Sequence, residues 1–217
     1  MGERLVELQP WRPDVAVLQE CSPSAGLGIW FPTTANKGVG IWAGDGYKIR
    51  PVECHPEVTH SVFPAAIEGR EPFHLLAVWA QALPSYVDAV MAGVEAYSKF
   101  VQEAPTVVVG DFNSSPALRD SRARTDHDSL LARLREDCGL VSAYHHRSGA
   151  GSEPEMPTYY HQFVGNAGYH LDYCFVPIDW VPRLSSVKIA NVEEFTSSDH
   201  RPLLVEVSPV PDEVRVV

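Results

Sequence analysis

Val107-Val108-Val109-Gly110-Asp111-Phe112-Asn113 is three β-branched residues in a row, a glycine that breaks the run, and then an acid and an amide on either side of one aromatic. The valines predict a fully buried strand, and the Gly-Asp-Phe-Asn that follows leaves two polar side chains at its end. Three other stretches have the same character. Glu20 closes Val15-Ala16-Val17-Leu18-Gln19-Glu20, Asp172 lies in His170-Leu171-Asp172, and Ser198-Asp199-His200-Arg201 precedes an apolar run. Taken singly, each has a plain alternative. An Asp after a strand is most often a turn that bonds its own downstream backbone, and a Glu at a strand end is usually solvated. The four together are what point to a site.

Working outward from that strand, the pattern before it is helical. Val87, Val90, Met91, Val94 and Tyr97 recur at three- and four-residue spacing between Ser85 and Val101, which lays one apolar stripe on a sheet, and Pro105 stops it. Earlier still, β-rich stretches at 15–19, 29–31, 39–43, 47–53, 60–67 and 74–79 predict a first half made mainly of strands, after a short helix over 3–9. Gly38-Val39-Gly40 is no dinucleotide fingerprint, because no glycine follows at the required spacing and no helical pattern opens there. After the central strand come a polar loop at 114–127 and a helix over 128–138 ended by Gly139. A Gly/Ser/Pro-rich loop at 147–157 follows, then strands at 171–176, 186–190 and 202–207. We expect one domain over 1–207 and a tail over 208–217.

Composition narrows the partners. With 17 basic against 28 acidic side chains the formal net charge is -11, which opposes nonspecific attraction to a polyanion. Nonenzymatic nucleic-acid binding is disfavoured for that reason. Cys21, Cys54, Cys138 and Cys174 are scattered, with no pair at zinc-ligand spacing, and read as free thiols. The apolar runs are too short to span a bilayer, and the first residues carry no signal-type apolar stretch, so a cytoplasmic chain without membrane partners is expected.

Carboxylates that close neighbouring strands can meet at one edge of a sheet. Glu20, Asp111, Asn113 and Asp199 offer the carboxylate and amide oxygens that suit a hard cation such as Mg2+ or Mn2+. His200 adds a group that titrates near neutral pH, and Asp172 can fix its tautomer by accepting the other ring N–H. His145-His146 is a weak second metal pair, since neighbours on a strand point to opposite faces. Arg119, Arg122 and Arg124 either reach substrate phosphates or form a solvated loop.

The chain resembles the endonuclease/exonuclease/phosphatase superfamily, which includes abasic-site endonucleases, pancreatic-type deoxyribonucleases, sphingomyelinases and inositol-polyphosphate phosphatases. Leu18-Gln19-Glu20, Gly110-Asp111-Phe112-Asn113, His170-Leu171-Asp172-Tyr173 and Ser198-Asp199-His200-Arg201-Pro202-Leu203 stand in the family's order, over about residues 13 to 207. The resemblance implies an α/β (α+β) four-layer sandwich, two packed mixed β-sheets flanked by helices. It also implies Mg2+ or Mn2+ as cofactor, with Glu20 binding the metal and Asp199 helping to hold it. Asp111 would orient or deprotonate the attacking water and Asn113 would stabilise the pentacovalent phosphate. His200, paired with Asp172, would contact a nonbridging oxygen.

Two departures accompany the resemblance. Family members usually begin with a strand ending in Trp-Asn, and no such residues are present here. A missing first strand leaves a gap in a sheet, to be filled by an upstream segment, by self-association or by strand complementation from another subunit. In Leu75-Leu76-Ala77-Val78-Trp79-Ala80-Gln81, Trp79 and Gln81 occupy the ground where relatives carry His or Tyr with Asn. Gln81 can donate to substrate, and Trp79 either lines the site or packs in the core. His170 stands where the family often has Arg, and either touches phosphate or caps the strand. The expected function is a metal-dependent phosphoesterase that cleaves a P–O bond by in-line attack of water, nuclease first, with a phosphate-ester substrate that includes nucleic acid. The alternative is a catalytically impaired phosphate-binding or interaction protein of the same fold.

Overall fold

Alternating residues of the central strands face two different cores. In the computed structural model, which describes residues 3–23, 26, 28–58, 60–118, 122–148, 155–161, 168–191 and 193–210, β6 (Phe73–Trp79) and β7 (Thr106–Asp111) run parallel, with Leu76 opposite Val108 and Trp79 opposite Asp111. Leu76, Val78 and Val108 join one apolar cluster, while Leu75, Ala77, Trp79, Val107 and Val109 join another. That division is the period of two that a pleated strand imposes. The crossover between β6 and β7 is made by α2 (Tyr86–Ala96) and α3 (Ser98–Glu103). Their apolar stripe buries Val87, Val90, Val94 and Tyr97 against the first cluster.

Antiparallel neighbours complete a six-stranded sheet in the order β4 (Lys48–Pro51), β5 (Val62–Glu68), β6, β7, β11 (Asp172–Pro177), β8 (Leu140–Ser142), and β9 (Tyr159–Tyr160) pairs with β10 (Gly168–Tyr169) in a small ribbon ahead of β11. Helix α4 (His127–Cys138) packs Leu130 and Leu134 on the same face as α2. Asp126 caps its start by accepting from Ser129 N at 2.8 Å, and Gly139, left-handed at φ 65°, ends it.

A second strand layer covers the other face. It consists of β2 (Ile29–Pro32), β3 (Gly38–Ala43) and β1 (Val15–Cys21) in the order β1-β3-β2, and of a separate pair, β12 (Leu184–Ile189) with β13 (Leu203–Val207). Val15, Val17, Leu203, Val205 and Val207 turn inward onto the six-stranded sheet. Outside β1, the short helix α1 (Glu3–Leu8) buries Leu5 with Ala16, Leu18 and Cys21. Helices, sheet, second layer and α1 make the four-layer sandwich that the resemblance implied.

The expected gap is present. Among the described residues β1 pairs only with β3 and β13 only with β12, and a cavity of about 1030 Å3 lies between them. Other differences are local. The single helix expected over 85–101 breaks at Tyr97, whose hydroxyl accepts from His55 N at 2.7 Å. The stretch 140–146, unassigned from sequence, forms β8 and most of α5 (Ala143–Ser148), which also takes in the first two residues of the expected 147–157 loop. His145 and His146 therefore sit on a helix rather than a strand, and His145 bonds Ser142 and Glu155. None of the four cysteines is in a disulfide. No described helix is long and apolar enough to cross a membrane. Arg119, most of the 147–157 loop, and 211–217 of the expected tail lie outside the described residues.

Candidate active site at the strand ends

Gly110 lets the central strand end where it does. Its φ is +142°, and a Cβ there would stand 2.0 Å from Val78 O and 2.6 Å from Gln19 Nε2. Gln19 in turn donates to Val78 O at 3.2 Å, so a side chain of the second layer reaches across to the six-stranded sheet over a residue that has none. Directly after it, Asp111 is 4% exposed, and both its oxygens accept from Asn113, Oδ1 from the backbone N and Oδ2 from Nδ2, each at 2.8 Å. Asn113 adopts φ 48° to close this turn, and its Nδ2 also donates to Ala80 O at 3.3 Å. The amide's two hydrogens are thus both taken, and its immediate job is to clamp Asp111.

β11 lies antiparallel to β7 with Asp172 opposite Asp111, which sets two carboxylates side by side. Asp172 Oδ2 accepts from His200 Nδ1 at 2.8 Å, the pairing expected of a carboxylate that fixes an imidazole. Burial, with Asp172 next, pushes Asp111 up to about 8. Burial acts to lower His200, but Asp172 and the neighbouring carboxylates overcome it and raise the imidazole to about 9. Both groups are thus pushed toward their protonated forms, Asp111 mainly by burial and His200 by the carboxylates around it.

Glu20 belongs to a different environment. β1 loses register between Leu18 and Cys21, and Glu20 takes φ 52°, a bulge that turns its side chain toward the cleft. Its carboxylate, 43% exposed, is ion-paired with Lys37. Asp199 lines the same cleft, just before His200. Asp111, Asp172 and His200 are the group whose ligand atoms fall within 4.8 Å of one another among the described residues. Since Asp172 and His200 already spend those atoms on each other, Asp111, Glu20 and Asp199 remain as oxygens facing the cleft. Hard carboxylate oxygens around an open space fit a divalent cation, and a cation there would offset the Asp172 and Glu20 charges that add to burial in pushing Asp111 up.

Of the expected substrate contacts, none lines this cleft. Trp79 is buried in the core between the layers, Gln81 turns its amide back to Trp79 O at 3.4 Å, and His170 is buried on the opposite face of β11 with Nδ1 on Met156 O at 2.8 Å. Packing takes precedence at Trp79 because it lies at an inward position of β6. His170 belongs instead to a buried aromatic group with His127, His145, Tyr144 and Tyr173. Ser114 Oγ joins His127 Nδ1 at 3.0 Å behind the Asn113 turn.

Two functional residues were missed in the sequence. Thr158, fully buried, accepts from both Leu171 N and Asp172 N at 3.0 Å and so fixes Asp172. Tyr159 bridges to His200 through the backbone, and its ring lies 4.7 Å from the imidazole. Pro157-Thr158-Tyr159-Tyr160, β-prone residues following a Gly/Ser/Pro-rich loop, was the available signal.

The sequence model described as the Endonuclease/Exonuclease/phosphatase family matches residues 4–200. Among solved structures, the endonuclease domain of TRAS1, a telomere-specific non-LTR retrotransposon, is similar with a TM-score of 0.65 at 17% identity, over 94% of this chain and 89% of that one. The 3' phosphatase NExo from Neisseria, bound to a product DNA hairpin, is similar with a TM-score of 0.63 at 18% identity, over 94% of each chain. At these identities the two structures establish a shared fold. No curated protein matches.

Proposed function

Because the chain belongs to the endonuclease/exonuclease/phosphatase family, we propose that it is a divalent-metal-dependent phosphoesterase that hydrolyses a P–O bond by in-line attack of water, with nucleic acid as the leading substrate class. The observation that carries this reading is the buried Asp111 held against the Asp172–His200 pair, at the end of a cleft that Glu20 and Asp199 also line. Relatives of the same fold include an endonuclease domain and a DNA-bound 3' phosphatase, which supports the substrate class.

Glu20 and Asp199 would hold Mg2+ or Mn2+, which supplies charge neutralisation at the phosphate and leaving oxygen. The chain's own groups do the rest. Asp111, with both oxygens fixed by Asn113, accepts a proton from water at its open side. His200 donates from Nε2 to a nonbridging oxygen while Asp172 holds Nδ1–H and stabilises the imidazolium. Asn113 acts on the phosphate only where substrate displaces its bond to Asp111 or to Ala80 O, and otherwise serves as a positioning residue.

Hydrolysis of bis-p-nitrophenyl phosphate and of duplex DNA in Mn2+ tests the reading. Turnover that needs the metal and is lost in Asp111→Ala and His200→Ala supports it. Folded protein that binds Mn2+ without any turnover overturns it in favour of a phosphate-binding protein of the same fold.

A further inference from the structure

The two carboxylates proposed for the metal stand on different halves of the second layer. Glu20 lies near the end of β1, which pairs with β3, and Asp199 lies shortly ahead of β13, which pairs with β12. Among the described residues no strand pairing joins the two halves. An ion shared by Glu20 and Asp199 therefore depends on some other contact to keep their spacing. Asp199 itself offers none, since no described group donates to its carboxylate, and its place is set by the backbone that carries it.

That backbone is held from two sides. On one, Tyr160 N donates to Asp199 O at 2.9 Å and Arg201 N donates to Thr158 O at 2.6 Å. On the other, Glu7 reaches across from α1, which is docked on β1 by Leu5 against Ala16, Leu18 and Cys21. Its Oε1 accepts from the Thr196 hydroxyl at 2.8 Å. Its Oε2 accepts from Thr196 N at 3.3 Å, from Ser197 N at 3.2 Å and from the Ser197 hydroxyl at 2.7 Å. Directly after them, Ser198 Oγ accepts from His200 N at 3.1 Å. A surface ion pair ties one flexible side chain to another and fixes little, whereas a carboxylate that takes two consecutive main-chain amides fixes backbone.

We propose that Glu7 is a positioning residue of the candidate active site: by clamping Thr196 and Ser197 to α1 it holds the Asp199–His200 segment in place relative to Glu20. The role at the site rests on the metal-dependent reading given above, while the clamp itself does not. Two parts of the layer that share no strand pairing are thereby kept in register by one side chain, and α1 becomes part of the support of the metal oxygens.

Hydrogen–deuterium exchange and calorimetric Mn2+ binding of the whole chain test this without any turnover. In Glu7→Ala the amides of 196–200 should exchange about tenfold faster, while those of β1, on which α1 packs, keep their native rate. Mn2+ should bind about tenfold more weakly, as when a metal ligand loses its support. Glu7→Gln should stay within about threefold of native in both, because its carbonyl keeps the bonds of Oε2 and its amide donates to the Thr196 hydroxyl. Ser197→Ala should loosen the same amides, and adding it to Glu7→Ala should cost nothing further. Native exchange at 196–200 in Glu7→Ala, equal loosening of β1, or a further loss in the double variant overturns the clamp. Unchanged Mn2+ affinity beside loosened amides overturns its role at the site, and Glu7→Gln as weak as Glu7→Ala assigns the effect to charge instead of position. A native chain that neither binds Mn2+ nor hydrolyses phosphate esters sinks the metal-dependent reading, and the exchange rates alone then uphold or overturn the clamp.

Discussion

Two strand layers meet at the candidate site, and they supply it differently. The six-stranded sheet is continuous, and its residues Asp111, buried, and Asp172, partly buried, are fixed by Asn113, Thr158 and His200. The interrupted layer brings Glu20, which is half exposed, strained at φ 52° and engaged by Lys37. The Asp111 and Asp172 carboxylates thus rest on the continuous sheet, whereas Glu20 rests on the interrupted layer, with Asp199 and His200 just ahead of its β13. Preorganisation is complete on one side of the cleft only.

The largest expected effect tests the rigid side. Asp111→Asn removes the base and leaves one acceptor for the two Asn113 donors, so kcat should fall about a thousandfold. The melting temperature should change little, because the lost hydrogen bond is offset by removal of a carboxylate that burial disfavours. Turnover that survives would break the assignment of proton transfer to this sheet.

Stability should divide the same way. Phe112, fully buried between α4 and the six-stranded sheet, should cost about 3–5 kcal/mol as Phe112→Ala. Val205→Ala, on half-buried β13 in the interrupted layer, should cost about 1 kcal/mol. Urea denaturation of both variants measures the contrast, and equal losses would remove it.

Acid should act next through His127. Burial lowers this imidazole from the ordinary 6.5 to about 4, so the unfolded chain takes up the proton first. Stability is then full above pH 6.5 and is lost as pH falls from there toward 4, by up to about 3 kcal/mol. Stability curves against pH for the native chain and His127→Asn should differ over that window, and coincident curves would refute the assignment.

Lys37→Ala carries the smallest structural effect, under about 1 kcal/mol, because both partners of the pair are largely exposed. Its informative readout is calorimetric Mn2+ binding, which should tighten once Glu20 is released. Unchanged affinity would take Glu20 out of the metal set.

The strand ends were legible in the sequence because four such stretches stand together, although each alone has a plain alternative, and the antiparallel register does place Asp172 opposite Asp111. What the sequence hid depends on contacts between distant segments. Trp79 was left between the site and the core; its inward position on β6 puts it in the core, and position parity becomes visible only once the neighbours of a strand are known. Thr158 acts through one hydroxyl on two amides of β11, with no local pattern to announce it. Asn113 was assigned to phosphate from its motif, whereas its hydrogens go first to Asp111 and Ala80.

Gly110 has a consequence for how these motifs can change over generations. The carbonyl of Val78 closes position 110 to any side chain, and a backbone atom cannot be substituted away. Gln19, by contrast, gains its bond to that carbonyl only because position 110 is bare, and its own replacement leaves the strand end able to form. Constraint therefore runs one way: lineages are free to lose the glutamine while keeping the glycine, and the reverse order of events is barred.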